Sequence, residues 1–210
     1  SVERFDFTMG GTSASVTLTK GQDTSNCVPF MTRRTVGTYD YGVRHQVDVY
    51  FSGSSLTARR NNGGGTVYLS VFVVEFDPQY IKVQQGYITF GGTAGSSGID
   101  NVDTSKAALV HYGRTSTWSD DWEDWKVRGY FNSPSSVRLE RDASSGTMYC
   151  HYYVFEALHN EFKVQHVSLT IGYSQYYATT GITAVDMSKS FVLASYESEV
   201  WYDDDRYAAC

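Results

Sequence analysis

The chain is written nearly twice over. VDVYFSGSSLTARR at 47–60 returns as VRGYFNSPSSVRLER at 127–141, and VFVVEFDPQYIKVQQGYITFGG, from Val71, returns as YYVFEALHNEFKVQHVSLTIGY, from Tyr152. Tyr50 and Phe51 correspond to Tyr130 and Phe131. After one inserted residue near Pro134, Arg60 and Glu75 correspond to Arg141 and Glu156. Self-similarity at a fixed period marks a packing module that builds length or surface, since a catalytic site is seldom needed twice in tandem.

The ends belong to the same pattern. VERFDFTMGG at 2–11 aligns with VQQGYITFGG at 83–92, so the chain opens on a unit's closing segment. TTGITAVDMSKSFVLASYESEVWYDDD, near the other end, aligns with SSGIDNVDTSKAALVHYGRTSTWSDDW, placing Asp186 on Asp103, Ser188 on Ser105 and Trp201 on Trp118. The expected layout is a closing strand at 1–11, a full unit at 12–92, a second at 93–175 and an opening fragment of a third at 176–210. The start at Ser1 points to processing or to an excerpt of a longer polypeptide.

With 17 Tyr, 11 Phe and 19 Gly but only 3 Pro, and Thr, Ser and Val throughout, the chain favours strands over helices. Within the first unit Ser15–Leu18, Cys27–Thr32, Gln46–Phe51, Ser55–Arg60, Thr66–Phe76 and Gly86–Phe90 are short β-branched or aromatic runs separated by turn formers such as NNGGG. No helical insert is present to carry a parallel crossover. The expected fold is therefore all-β, two tandem antiparallel β-sandwich modules of jelly-roll or Greek-key type with partial units at both ends. Apolar residues on both alternating faces of Thr66–Phe76 and Thr147–Phe155 predict central strands covered on both sides. Arg60 and Glu75, and likewise Arg141 and Glu156, sit at strand ends beside this apolar surface. They are expected to form structural ion pairs, because an unpaired buried charge is costly.

A net charge of -6 and a pI near 5.3 argue against a nucleic-acid partner, which needs clustered Lys and Arg. No apolar run is long enough to span a membrane as a helix. Of the 3 Cys, Cys27 and Cys150 stand at strand positions that hold other residues in the neighbouring unit, and read as buried thiols rather than a disulfide framework.

The succession of a VDxSKSFVLASY-like opening (Val185–Tyr196), a VRxxF…SSVRLER middle (Val127–Arg141) and a strand ending VVEF (Val71–Phe76) resembles β-repeats of structural proteins of tailed-bacteriophage virions. The resemblance covers almost the whole chain and carries no catalytic motif. It implies a decoration, fibre or tail component on a virion surface or outside the cell, touching copies of itself and neighbouring virion proteins.

Candidate chemistry is sparse. Asp120, Asp121, Glu123 and Asp124, and Asp203, Asp204 and Asp205 at the matching place, could offer calcium hard oxygens, but lack EF-hand spacing; a solvated acidic loop is the simpler account. Trp118, Trp122, Trp125 and Trp201 lie in the same loops, near the positions of Tyr39 and Tyr41, where exposed rings could stack on sugars; the alternative function is thus a carbohydrate-binding adhesin module contacting host surface glycan. His111, His151, His159 and His166 have no counterparts in the first unit and do not converge as a zinc site would require. No nucleophile elbow, phosphate loop or HExxH sequence occurs, and neither an enzyme nor a cofactor is expected. A strand without its sheet exposes unpaired backbone groups, so Val2–Met9, with Val2, Phe5 and Phe7, and Phe191–Ser195, with Phe191 and Leu193, are expected to be completed by another subunit or a longer array.

Overall fold

The computed structural model describes residues 1–36, 46–61, 63–116, 126–172 and 175–198. Among these residues twelve strands run in chain order: β1 Val2–Met9, β2 Ser13–Thr17, β3 Cys27–Val36, β4 Asp48–Ser52, β5 Ser55–Arg59, β6 Thr66–Glu75, β7 Ile81–Phe90, β8 Ala94–Gly98, β9 Ala107–Thr115, β10 Arg128–Ser133, β11 Ser136–Glu140 and β12 Met148–Ala157. Three-residue 3-10 turns precede β3 and β9, and a third covers Met187–Lys189. Each is opened by an aspartate, Asp23, Asp103 or Asp186, whose carboxylate accepts from the backbone N–H two residues on.

Four antiparallel three-stranded sheets form, ordered β1-β6-β3, β2-β5-β4, β7-β12-β9 and β8-β11-β10. Within each set of six the first strand pairs with the sixth and the second with the fifth, the nested winding of a shortened jelly roll. The all-β fold of tandem sandwich modules expected from the sequence is the fold observed. Alternation explains the core of the first module, where Phe5, Phe7 and Met9 of β1, Val67, Leu69, Val71 and Val73 of β6, and Leu56 and Ala58 of β5 point between the sheets. The second core repeats it with Ile88 and Phe90, Cys150 and Val154, and Val137 and Leu139. Cys27 and Cys150 are buried free thiols, one in each core.

Three expectations are corrected. Val2–Met9 is not an orphan strand, because β1 pairs along its length with β6, from Val2 opposite Val74 to Met9 opposite Val67. Phe5 and Phe7 are core side chains rather than subunit contacts. The sandwich is thus out of phase with the sequence units: it begins on the strand taken to close a unit, and its modules are β1–β6 and β7–β12. Second, β6 is covered on one face only, since Tyr68 and Phe72 on its other face are each 39% exposed. β12 is covered on both, as expected, because its second face packs in a separate cluster with Val28, Phe30, Phe51 and Phe76 of the first module.

Third, the arginines do not pair with the glutamates. Arg60 is 1% and Arg141 2% exposed. Arg60 donates to the carbonyls of Gly11, Met9, Gly64 and Gly65, and Arg141 to those of Gly92, Ser145 and Gly146. Gly65 and Gly146 adopt φ of 70° and 66°, a region costly for any residue with a Cβ, and this turns their carbonyls onto the guanidinium. Glu75 and Glu156 lie at the far ends of β6 and β12, about 30 Å along a ten-residue strand. There they accept from the backbone N–H groups of Asp23 and Asp103.

Because Arg60 caps so many carbonyls, Arg60→Met, which preserves bulk and removes the donors, should lower unfolding stability by about 3 kcal/mol or more in urea denaturation. A loss under about 1 kcal/mol would show the carbonyls to be solvated without it. Burial raises the Cys27 thiol to about 12 and the Cys150 thiol further upward. A thiol reagent followed by peptide mapping should label neither cysteine until the chain is unfolded.

Candidate functional site

The most heavily built polar region joins the two modules. It is assembled from the outer face of β7-β12-β9 and from β3, β4 and the turn after β5. The Tyr153 hydroxyl, buried, donates to the Val49 carbonyl at 3.0 Å. The Tyr112 hydroxyl donates to the Pro29 carbonyl and accepts from the Met31 N–H, both at 2.9 Å. Burial pushes both phenols well above the usual tyrosine range, so they remain neutral donors. Arg114 lies over the Tyr149 ring at 4.3 Å and donates to the Asn61 amide oxygen, while the Asn61 amide nitrogen donates to the Thr115 carbonyl. Around these bonds Phe155 packs edge-on to Phe30 and stacks with Phe76.

At the centre Asp48, with its side chain only 2% exposed, holds the Nδ1 of His151 at 2.8 and 2.9 Å from its two oxygens. The imidazole stacks on Tyr50, with centroids 4.5 Å apart, and Tyr87 covers it from another side at 4.6 Å. Burial raises the Asp48 carboxyl above the usual aspartate range despite the opposing pull of His151. A cleft of about 200 Å³ opens here, lined by Tyr50, Gln85, Tyr87 and His151 among others. Opposite Tyr152 on β7, Gly86 is required by space, because a Cβ there would collide with the Tyr152 ring.

The junction is then partly built again. Gln85 Nε2 donates to the carbonyls of Thr24 and Cys27, and His166, its counterpart one module on, is placed with Nε2 3.0 Å from the carbonyls of Thr104 and Ala107. Gln84 clamps the backbone of Asp100 with both amide atoms, and Gln165 clamps Thr183 in the same way. Residues 162–172 and 175–198 thus lie on the second module as the second lies on the first, with Val164 N–H on the Ser105 carbonyl and Glu197 on Arg128. Among the described residues this half-module has no strand pairing, and Leu169, Ile171, Phe191, Val192 and Leu193 are exposed. Phe191–Ser195 therefore has no strand partner within the described residues.

Trp118, Trp122, Trp125 and Trp201, the acidic residues 120–124 and 203–205, and Tyr39 and Tyr41 lie outside the described residues. Among the described residues no group of three or more His, Cys, Asp and Glu is placed to hold a metal ion, and no helix is long and apolar enough to cross a membrane. Sequence reasoning set His151 aside with the other scattered histidines and did not single out Asp48. Both are module-specific, His151 standing where Ser70 stands and Asp48 where Arg128 stands, and that joint departure from the repeat was the available signal. Comparison with protein-family models, curated proteins and solved structures finds no match.

Asp48 holds its proton to higher pH in the folded chain than in the unfolded one. Its contribution to stability is therefore complete below the ordinary aspartate value of about 3.9 and is lost as pH rises through the raised value. The stability advantage of the unmutated chain over Asp48→Asn, measured by urea unfolding across acidic to neutral pH, should shrink as pH rises. An advantage that grows instead would mean that attraction to His151 outweighs the burial cost.

Proposed function

We propose that this chain is a structural protein whose work is cohesion: repeated β-sandwich modules packed in series to build an extracellular or virion assembly. The observation that carries this is the recurrence of one junction, Gln85 on the carbonyls of Thr24 and Cys27 where β3 begins and His166 on those of Thr104 and Ala107 where β9 begins. A contact set used twice in succession propagates, as the interfaces of solenoid proteins do. Ligand sites in tandem repeats need no such continuity. The resemblance of the repeats to those of tailed-phage structural proteins supports a decoration, fibre or tail component, with copies of itself and neighbouring virion proteins as partners.

The carbohydrate-binding alternative has one geometric foothold, the cleft between Tyr50 and Tyr87. Sugars stack on such rings, and the neighbouring Gln85 and His151 could bond hydroxyls.

The structural reading is tested by fractionating assembled particles on a density gradient and quantifying the chain by mass spectrometry. It should sediment with the particles in fixed stoichiometry. A chain found only in the soluble fraction, together with glycan-array binding lost in Tyr87→Ala, would favour the adhesin.

A further inference from the structure

The first module carries on its outer face a surface laid out like the one the second module uses for docking, sharing its arginine–tyrosine stack, and there it is uncovered. Arg34 lies over the Tyr68 ring at 4.9 Å, as Arg114 lies over Tyr149. Phe72 occupies the place of the buried Tyr153 but is 39% exposed. Arg4 stands where Gln85 and His166 stand, and Asp6 where Tyr87 stands.

We propose that this face of the β1-β6-β3 sheet docks onto the second module of another copy of the chain. Copies would join head to tail in the geometry that joins the first module to the second, and the incoming copy would displace the half-module. The inference rests on the structural reading above.

The charges on the two surfaces match when the known junction is carried over. Asn61, which receives Arg114 across the existing junction, corresponds to Asp142, so Arg34 would meet an exposed carboxylate. Asp48, beside the site that Tyr87 and His151 share, corresponds to Arg128, so Asp6 would meet a guanidinium. Phe72 would fall on Phe131 as Tyr153 falls edge-on against Phe51. Arg4 would reach the carbonyls of Thr104 and Ala107, which His166 now contacts.

The present occupant is lightly held. Phe162 and Val164 pack against the cluster around Phe155, but beyond them the half-module leaves Leu169, Ile171, Phe191 and Val192 exposed, and a segment that buries so little opens at low free-energy cost. Its ties to the second module include His166 at those carbonyls, Glu197 on Arg128 and the Ser195 hydroxyl at the Gly129 backbone. A complete module brings a full sandwich to the same place. A contact between unlike surfaces leaves one of each free on every pair, so copies should add on as open chains, or as rings where the rotation closes.

Sedimentation velocity on the full chain over a wide concentration range tests this. The unmutated chain should associate with rising concentration. Arg34→Asp and Asp142→Arg should each weaken association about tenfold or more, because like charges then face each other across the contact. An equimolar mixture of the two variants should restore association, which misfolding of either would not allow. Glu197→Lys, which repels the half-module from Arg128, should strengthen association. A chain that stays monomeric at every concentration, a mixture that fails to recover, or a Glu197→Lys chain that associates no better overturns the proposal. The structural reading fails by a different observation, absence of the chain from assembled particles.

Discussion

A three-stranded sheet has two faces, and a sandwich buries only one of them. The other must be polar or be covered by something else. In the second module it is covered, and Tyr153, Phe155, Val110 and Ala108 are as deeply placed as residues of a core. A module of this size buries a modest share of its surface on folding, so a neighbour supplying a second apolar layer is a substantial part of its stability. The polar bonds at the junction, from the Tyr153 and Tyr112 hydroxyls and from Asp48, then fix the angle at which the layer is applied. Hydrophobic cover alone would allow many angles.

Inside each module the buried arginine performs a comparable task. Arg60 leaves the end of β5 in one sheet and bonds carbonyls next to β1 and β6 in the other, tying the two layers at one end. A guanidinium out of water is tolerable when its fork of donors meets acceptors on several sides, and backbone carbonyls serve as well as a carboxylate. Glu75 and Glu156 anchor the opposite end by accepting the N–H of the aspartates that open the 3-10 turns. The pattern holds in both modules, which accounts for its appearance in both copies of the sequence.

The strands were legible because side-chain alternation, turn glycines and the repeat agreed with one another; Cys27, Ser55 and Thr66 open strands where the pattern placed them. The phase of the module was not legible, because a periodic sequence looks the same wherever it is cut, and only the pairing of β1 with β6 sets the origin. The partners of Arg60 and Glu75 were misjudged for a related reason. Both are polar residues at strand ends, and sequence does not say that the two ends lie at opposite edges of the sandwich. The difference between β6 and β12 was hidden as well, since Phe72 and Tyr153 are both large aromatic residues at equivalent positions and it is the presence of a neighbour that buries one and not the other.

The pairing of the first strand with the last sets the tempo at which a nascent chain can organise. Val2 waits for Val74 and Ile81 for Ala157, so nearly a whole module leaves the ribosome before its outermost ladder can close. Such distant pairings slow folding. Until they form, the earlier strands show their apolar sides to any newly synthesised sibling nearby, so translation rate and crowding on a polysome bear directly on how cleanly this protein is made.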